Sequence, residues 1–259
     1  TFVRRYQRSI ALLPARLFDR LFCRRLQGVV GTEDVKKLTA AANQETLPRG
    51  VAARQLELIT CPAPIPASGL EAIIAERRTL RSFGAGAIGR EELSRLLHAA
   101  AGLSVTTEGK RFRSYPSAGA LYPLHPYLVV YHVQGLAPGI YYYHCHGPHL
   151  VRIKDDTFNA AITDYLRHSQ ELEGYAFVLA FTAAFHRTLL KYGNRGYRYV
   201  MMDAGHAMQN LLLLAHSLGL NAVPIGGFKE QLWNRMLSLE ESGETTVYLV
   251  AVGTRAASA

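Results

Sequence analysis

Two stretches of the chain are apolar at nearly every position: PYLVVYHV at 126–133 and YAFVLAFTAAF at 175–185. Runs of this length, rich in β-branched and aromatic residues, predict strands buried on both faces. TTVYLVAVGTR at 245–255 predicts a last core strand, and residues 221–225 a short one. GLAPGIYYYHCHGPHLVRI at 135–153 predicts a hairpin turning at Gly147-Pro148. Helical spacing covers residues 69–77, 91–101, 156–168 and 232–239, and a long element at 199–218. That long helix places Met201, Met202, Ala204, Ala207, Met208, Leu211 and Leu214 on all of its sides. Such a helix belongs in a large core or a subunit interface. His206, Gln209, Asn210 and His216 interrupt it and argue against a membrane span, and Gly219 is placed to end it.

The front of the chain is different. Residues 9–26 carry leucines and phenylalanines at helical spacing with arginines between, and residues 32–42 predict a second helix. A packed helix with snorkelling arginines is the preferred reading; a membrane-surface helix and a docking helix for a partner protein are the others. TCPAPIPASG at 60–69 reads as a linker. The expected organisation is therefore a helical extension with a proline-rich linker over 1–69 and a main domain over 70–259.

Charge and composition narrow the classes. The net charge is +9, but residues 1–26 alone hold seven arginines against the single acid Asp19. The basic character is local, so nucleic acid is not an expected partner. No apolar run approaches the ~20 residues that span a bilayer, and membrane association is not expected. Cys23, Cys61 and Cys145 are widely spaced and form no CxxC pair, which fits a reducing cytoplasm.

Several segments carry candidate chemistry. Arg77, Arg78 and Arg81 surround Thr79 after a helix, a set of planar donors and a hydroxyl suited to an anion; a solvated turn would use the same residues. GAGAIG at 84–89 matches GxGxxG, but ERRTLRSF before it is too charged for a core strand, so a dinucleotide fold is rejected. YPSAGALYPLHP at 115–126 brackets Ser117, Ala118, Gly119 and Ala120 with prolines, as where backbone passes close to another group. Gly226 and Gly227 follow a strand and can turn backbone N–H groups to a ligand. His144, Cys145, His146 and His149 lack a complete ligand set and the right facing, so no metal is expected.

Together, RRTLRSF, PSAGALYP, AGHAMQNLLLLAHSLGL, PIGGF and VYLVAVG resemble the nitroreductase-like FMN flavoproteins over about residues 70–255. With KYG and RGYRY, the set looks most like the SagB-type dehydrogenase branch, which includes the azoline oxidases. The resemblance implies an α+β fold, a mixed and mainly antiparallel sheet flanked by helices, in an intertwined homodimer. It implies that Arg77, Arg78, Thr79, Arg81 and Arg255 hold FMN. It further implies that Pro116, Ser117, Ala118, Gly119 and Ala120 come from the partner subunit, and that Pro224, Ile225, Gly226 and Gly227 lie beside flavin N5. Lys191 and Tyr192 match an acid/base pair. The implied activity is dehydrogenation of a thiazoline or oxazoline in a peptide or small natural product, within a biosynthetic complex or alone, with hydride passing to N5 and electrons to oxygen. An NAD(P)H-dependent nitro or quinone reductase and a non-catalytic docking subunit are the alternatives.

Overall fold

Residues 177–183 are buried without exception, and they form the strand around which the sheet is built. The computed structural model describes residues 69–105, 109–147, 149–155 and 174–256. Its sheet holds β3 (Leu124–Val130), β4 (Gly139–His144), β5 (His149–Lys154), β6 (Phe177–Ala183), β7 (Leu220–Ile225) and β8 (Thr245–Thr254), in the order β5-β4-β3-β6-β8-β7. Every pairing between these neighbours is antiparallel, so the mixed sheet expected from the resemblance is here antiparallel throughout. Two short strands, β1 (Leu103–Val105) and β2 (Arg111–Arg113), pair separately.

Alternate residues of the central strands enter opposite cores. Leu128, Phe177, Leu179, Phe181, Val250 and Val252 join Leu96 and Leu97 of α2 (Arg90–Ala101) and Val200, Ala207 and Leu211 of α4 (Arg195–Ser217). Val129, Val178, Ala180, Ile225, Leu249 and Ala251 join Trp233 and Met236 of α5 (Glu230–Met236). The sheet is thus covered by helices on both faces, and α1 (Leu70–Glu76) and α3 (Phe185–Tyr192) pack against α4.

Some elements depart from the sequence expectation. The run at 175–185 is strand only to Ala183; Phe185 instead opens α3, its ring stacked on Tyr197 of α4 at 5.5 Å. The long helix starts at Arg195 because Gly196 lets it lie against α3: a Cβ there would come within 2.9 Å of the Thr188 backbone. It is also not covered on every side, since Met202, Gly205, His206 and Gln209 form an exposed stripe. Gly219, at φ +72, follows the helix as expected. The strand expected at 126–133 runs from Leu124 to Val130. The helices expected at 9–26, 32–42 and 156–168, the linker at 60–69 except for Gly69, Cys23 and Cys61 lie outside the described residues.

Candidate active site

The two ends of α4 carry two different clusters. Near its N-terminal half lies the small-residue loop. Ser117 donates its hydroxyl to Asp203 Oδ2 at 2.5 Å and accepts the Tyr122 N–H at 3.0 Å. Residues Ala118–Ala120 make one tight turn, closed by Ala120 N–H to Ser117 O at 3.0 Å. Gly119 sits at φ 63, Ala120 at 53 and Tyr122 at 45. For the two non-glycine residues this left-handed backbone costs about 1–2 kcal/mol each. Replacing Ala120 by glycine relieves the strain, and we expect a gain of about 1 kcal/mol in urea unfolding.

Lys191 and Tyr192, the last residues of α3, come to this loop. A Cβ built on Gly119 would stand 2.6 Å from the Tyr192 hydroxyl and 2.7 Å from Lys191 Nζ. Any side chain at 119 would therefore displace both groups. Lys191 Nζ also lies 5.3 Å from the centre of the Tyr192 ring, whose edge meets Tyr199. Arg187, one turn earlier in α3, reaches Tyr122 O at 3.4 Å. Pro116 precedes the turn, after Tyr115, whose buried phenol is pushed well above its ordinary range by desolvation.

At the other end of α4 lies the arginine cluster. Arg255 follows β8 and donates to His216 O at 3.2 Å, and its Nη2 lies 3.1 Å from His216 Nδ1. Residues 77–83 reach the same place: Phe83 bridges Arg255, Gly84 N–H bonds Thr254 O, and Asn221 of β7 donates to Ser82 O at 2.7 Å. Arg77 donates to Thr79 Oγ1 at 3.3 Å. Arg78 caps the end of α1 through the carbonyls of Ala75 and Arg77. The segment that carries Arg77, Arg78, Thr79 and Arg81 is thus tied at Phe83 to Arg255, and at Glu76, 3.8 Å from His216 Nε2, to the partner of Arg255. The glycines of GAGAIG serve packing here: a Cβ on Gly84 would stand 2.5 Å from Arg255 O, and one on Gly86 3.1 Å from Thr254.

β7 joins this region to PIGG. Leu220 pairs with Thr254 beside the arginines, and Ile225 leads into Gly226. Six residues of strand span about 17 Å. β7 is the outer strand, where Pro224 is tolerated because a lost donor on the free side breaks no ladder bond. Ile225 is buried, while Gly226 and Gly227 are exposed, and a Cβ on Gly226 would meet nothing within 4 Å. The donor set fits FMN: cations at one end of the strand suit a phosphate, and open glycine backbone at the other suits a flat ring.

Two further groups were not singled out from the sequence. Asp203 is one, 4% exposed on an otherwise apolar helix face; burial raises its carboxyl, against the bonds from Ser117 and Ala118. The other is Glu244, which accepts His125 Nδ1 at 2.8 Å and Thr182 Oγ1 at 2.5 Å. Burial alone would raise Glu244, but these bonds and the charges of His125 and Arg187 outweigh it and hold the acid below 4.5. Its contribution to stability is therefore full above pH 4.5 and lost as pH falls through the lower folded value. Urea midpoints should accordingly fall less on acidification in Glu244→Gln than in the wild type. Among the described residues no group of three or more His, Cys, Asp or Glu could hold a metal ion, and no helix is long and apolar enough to cross a membrane.

The sequence profile of the nitroreductase family matches residues 74–254, nearly the whole of this fold. The chain belongs to the nitroreductase family. The family protein MJ1384 of Methanocaldococcus jannaschii is 36% identical over 172 residues, covering 66% of this chain and 85% of that protein. The microcin B17-processing protein McbC of Escherichia coli is 28% identical over 156 residues, covering 50% of this chain but only 49% of McbC. The solved E. coli microcin synthetase McbBCD complex, with truncated pro-MccB17 bound, has a chain of the same fold at a TM-score of 0.67 and 21% identity, covering 88% of this chain and 84% of that one. These relations place the chain among nitroreductase-family flavoproteins, and the antiparallel sheet between helices is the nitroreductase-like fold.

Proposed function

We propose that this protein is an FMN-dependent dehydrogenase that oxidises a thiazoline or oxazoline, in a peptide or small natural product, to the thiazole or oxazole. The observation that carries the reading is the meeting of Lys191 Nζ and the Tyr192 hydroxyl at Gly119. A proton-accepting pair beside a close-approach loop is what this oxidation needs. Azoline oxidation removes one proton and one hydride from adjacent atoms of the ring. When bound, FMN would supply the hydride acceptor, with oxygen as the final electron acceptor. Lys191, with Tyr192, takes the proton. Arg77, Arg78, Thr79, Arg81 and Arg255 would hold the phosphate and ribityl chain, and Gly226 and Gly227 would offer backbone donors to the ring. The relation to McbC, and the likeness to a complex solved with a pro-peptide, support a peptide substrate handled within a larger assembly.

The site is shared between two copies in this reading. The Ser117 and Arg255 anchor points, positions 203 and 216 of α4, are about 20 Å apart along the helix. One subunit's loop would then cover the flavin held by its partner's arginines, with the exposed stripe of α4 at the contact. Residues 1–69 form an extension to this catalytic domain, and the enzyme works in the cytoplasm.

A second reading, an NAD(P)H-dependent nitro or quinone reductase, is favoured by the relation to MJ1384. Anaerobic mixing separates the two. A thiazoline peptide should bleach the flavin absorption band in the absence of NAD(P)H. Bleaching by NAD(P)H alone, with no response to the peptide, would establish the reductase instead.

A further inference from the structure

Beyond the residues that would touch flavin or substrate, α4 contributes a buried acid whose bonds all lead to the loop. We infer that Asp203 is a positioning residue: its carboxylate, accepting the Ser117 hydroxyl and the Ala118 N–H, holds the turn that brings Gly119 against Lys191 and Tyr192. The inference rests on the proposal above that this loop serves the flavin.

The direction of the bonds explains why the residue is an acid. Ser117 Oγ already accepts the Tyr122 N–H, so its own proton must point away, toward α4. An ionised carboxylate offers only acceptors and enforces that direction. An amide could instead donate to Ser117 Oγ and compete with Tyr122. Asp203 also accepts the N–H of Ala118, the first residue of the turn. Those two bonds and the Tyr122 bond fix both sides of the segment that carries Gly119, Ala120 and Tyr122 at positive φ. The neighbours of Asp203 on its helix face, Val200, Ala204 and Ala207, are apolar and buried. A burial-only role would be met better by another apolar residue, since an isolated buried carboxylate is costly. The acid is explained by what it holds.

The test uses the full chain and FMN. Asp203→Asn and Ser117→Ala should each weaken FMN binding by about tenfold or more, the size expected for a lost bond to a charged group. The double variant should be no weaker than the worse single one, because both remove the same link. Ser117→Thr, which keeps the hydroxyl, should recover most of what Ser117→Ala loses. Hydrogen exchange at the amides of Ala118, Ala120 and Tyr122 should quicken in Asp203→Asn and Ser117→Ala, while protection across β6 is retained. Unchanged exchange at these amides overturns the inference. So does faster exchange with unaltered FMN affinity, which would leave the acid a local brace with no part in the site. Wild-type protein that takes up no FMN defeats the underlying functional reading, and is seen before any variant is made.

Discussion

Lys191→Ala is expected to form azole between about 10²- and 10⁴-fold more slowly than the wild type, the range for losing a positioned general base. Its flavin content should be unchanged, because Lys191 is not among the residues proposed to hold the phosphate, the ribityl chain or the ring edge. The reason for the size of the effect is local. Lys191 and Tyr192 end α3, and Lys191 Nζ and the Tyr192 hydroxyl crowd the one position in the loop that carries no side chain. Removing the amine leaves Tyr192 alone to take the proton. Single-turnover rates with a thiazoline peptide, read beside the flavin absorption spectrum, check the expectation. Wild-type rates would remove Lys191 from the chemistry.

Gly205→Glu is expected to yield a monomer that has lost FMN. Within one chain the change is benign: a Cβ on Gly205 meets nothing within 4 Å, the residue is exposed, and it lies inside a helix. Exchanging glycine for a better helix former there should raise helix stability by up to about 1 kcal/mol. The same side chain, with its charge, would stand in the exposed stripe formed with Met202, His206 and Gln209. If that stripe packs on a second copy, the close approach is blocked. Each chain then keeps its arginines and its loop about 20 Å apart along α4, with no partner loop to cover the ring. Sedimentation velocity and flavin fluorescence on the same sample read both effects. A monomeric variant that retains FMN would show that one chain makes a whole site.

How much of this could be read from the chain follows from where the physical signal was local. β6 was legible because each of its residues is apolar and each is buried. The same uniformity hid α3: the apolar run continues through Phe185, and only Phe185 and Thr188 of the helix are buried, with Leu190 81% exposed. No side-chain cap marks its start, and it exists because it packs on α4 through Gly196. The close-approach character of the loop was legible in Ser117–Ala120, since small residues are chosen where space is short. What approaches it was not. Lys191 and Tyr192 are remote in sequence and meet Gly119 only through the strand order β3-β6 and the turn into α3. Asp203 carries no local signal that sets it apart in a long, mostly apolar helix. Its signal, a lone carboxylate on the most buried face, became legible only when Ser117 was seen to point at it. His125 was in view as the last polar residue of the loop-and-strand stretch, but its partner Glu244 arrives from the far side of the sheet sequence, before β8.

The central claim is that this nitroreductase-family chain oxidises an azoline ring, with Lys191 and Tyr192 as the proton-accepting pair. Mass spectrometry of a synthetic thiazoline-containing peptide, incubated in air with the FMN-loaded protein and no NAD(P)H, tests it most directly. The account predicts the loss of two hydrogens from the peptide, retained in full with wild-type protein and nearly abolished with Lys191→Ala. A peptide of unchanged mass, from a protein that reduces nitro compounds at the expense of NAD(P)H, would contradict it.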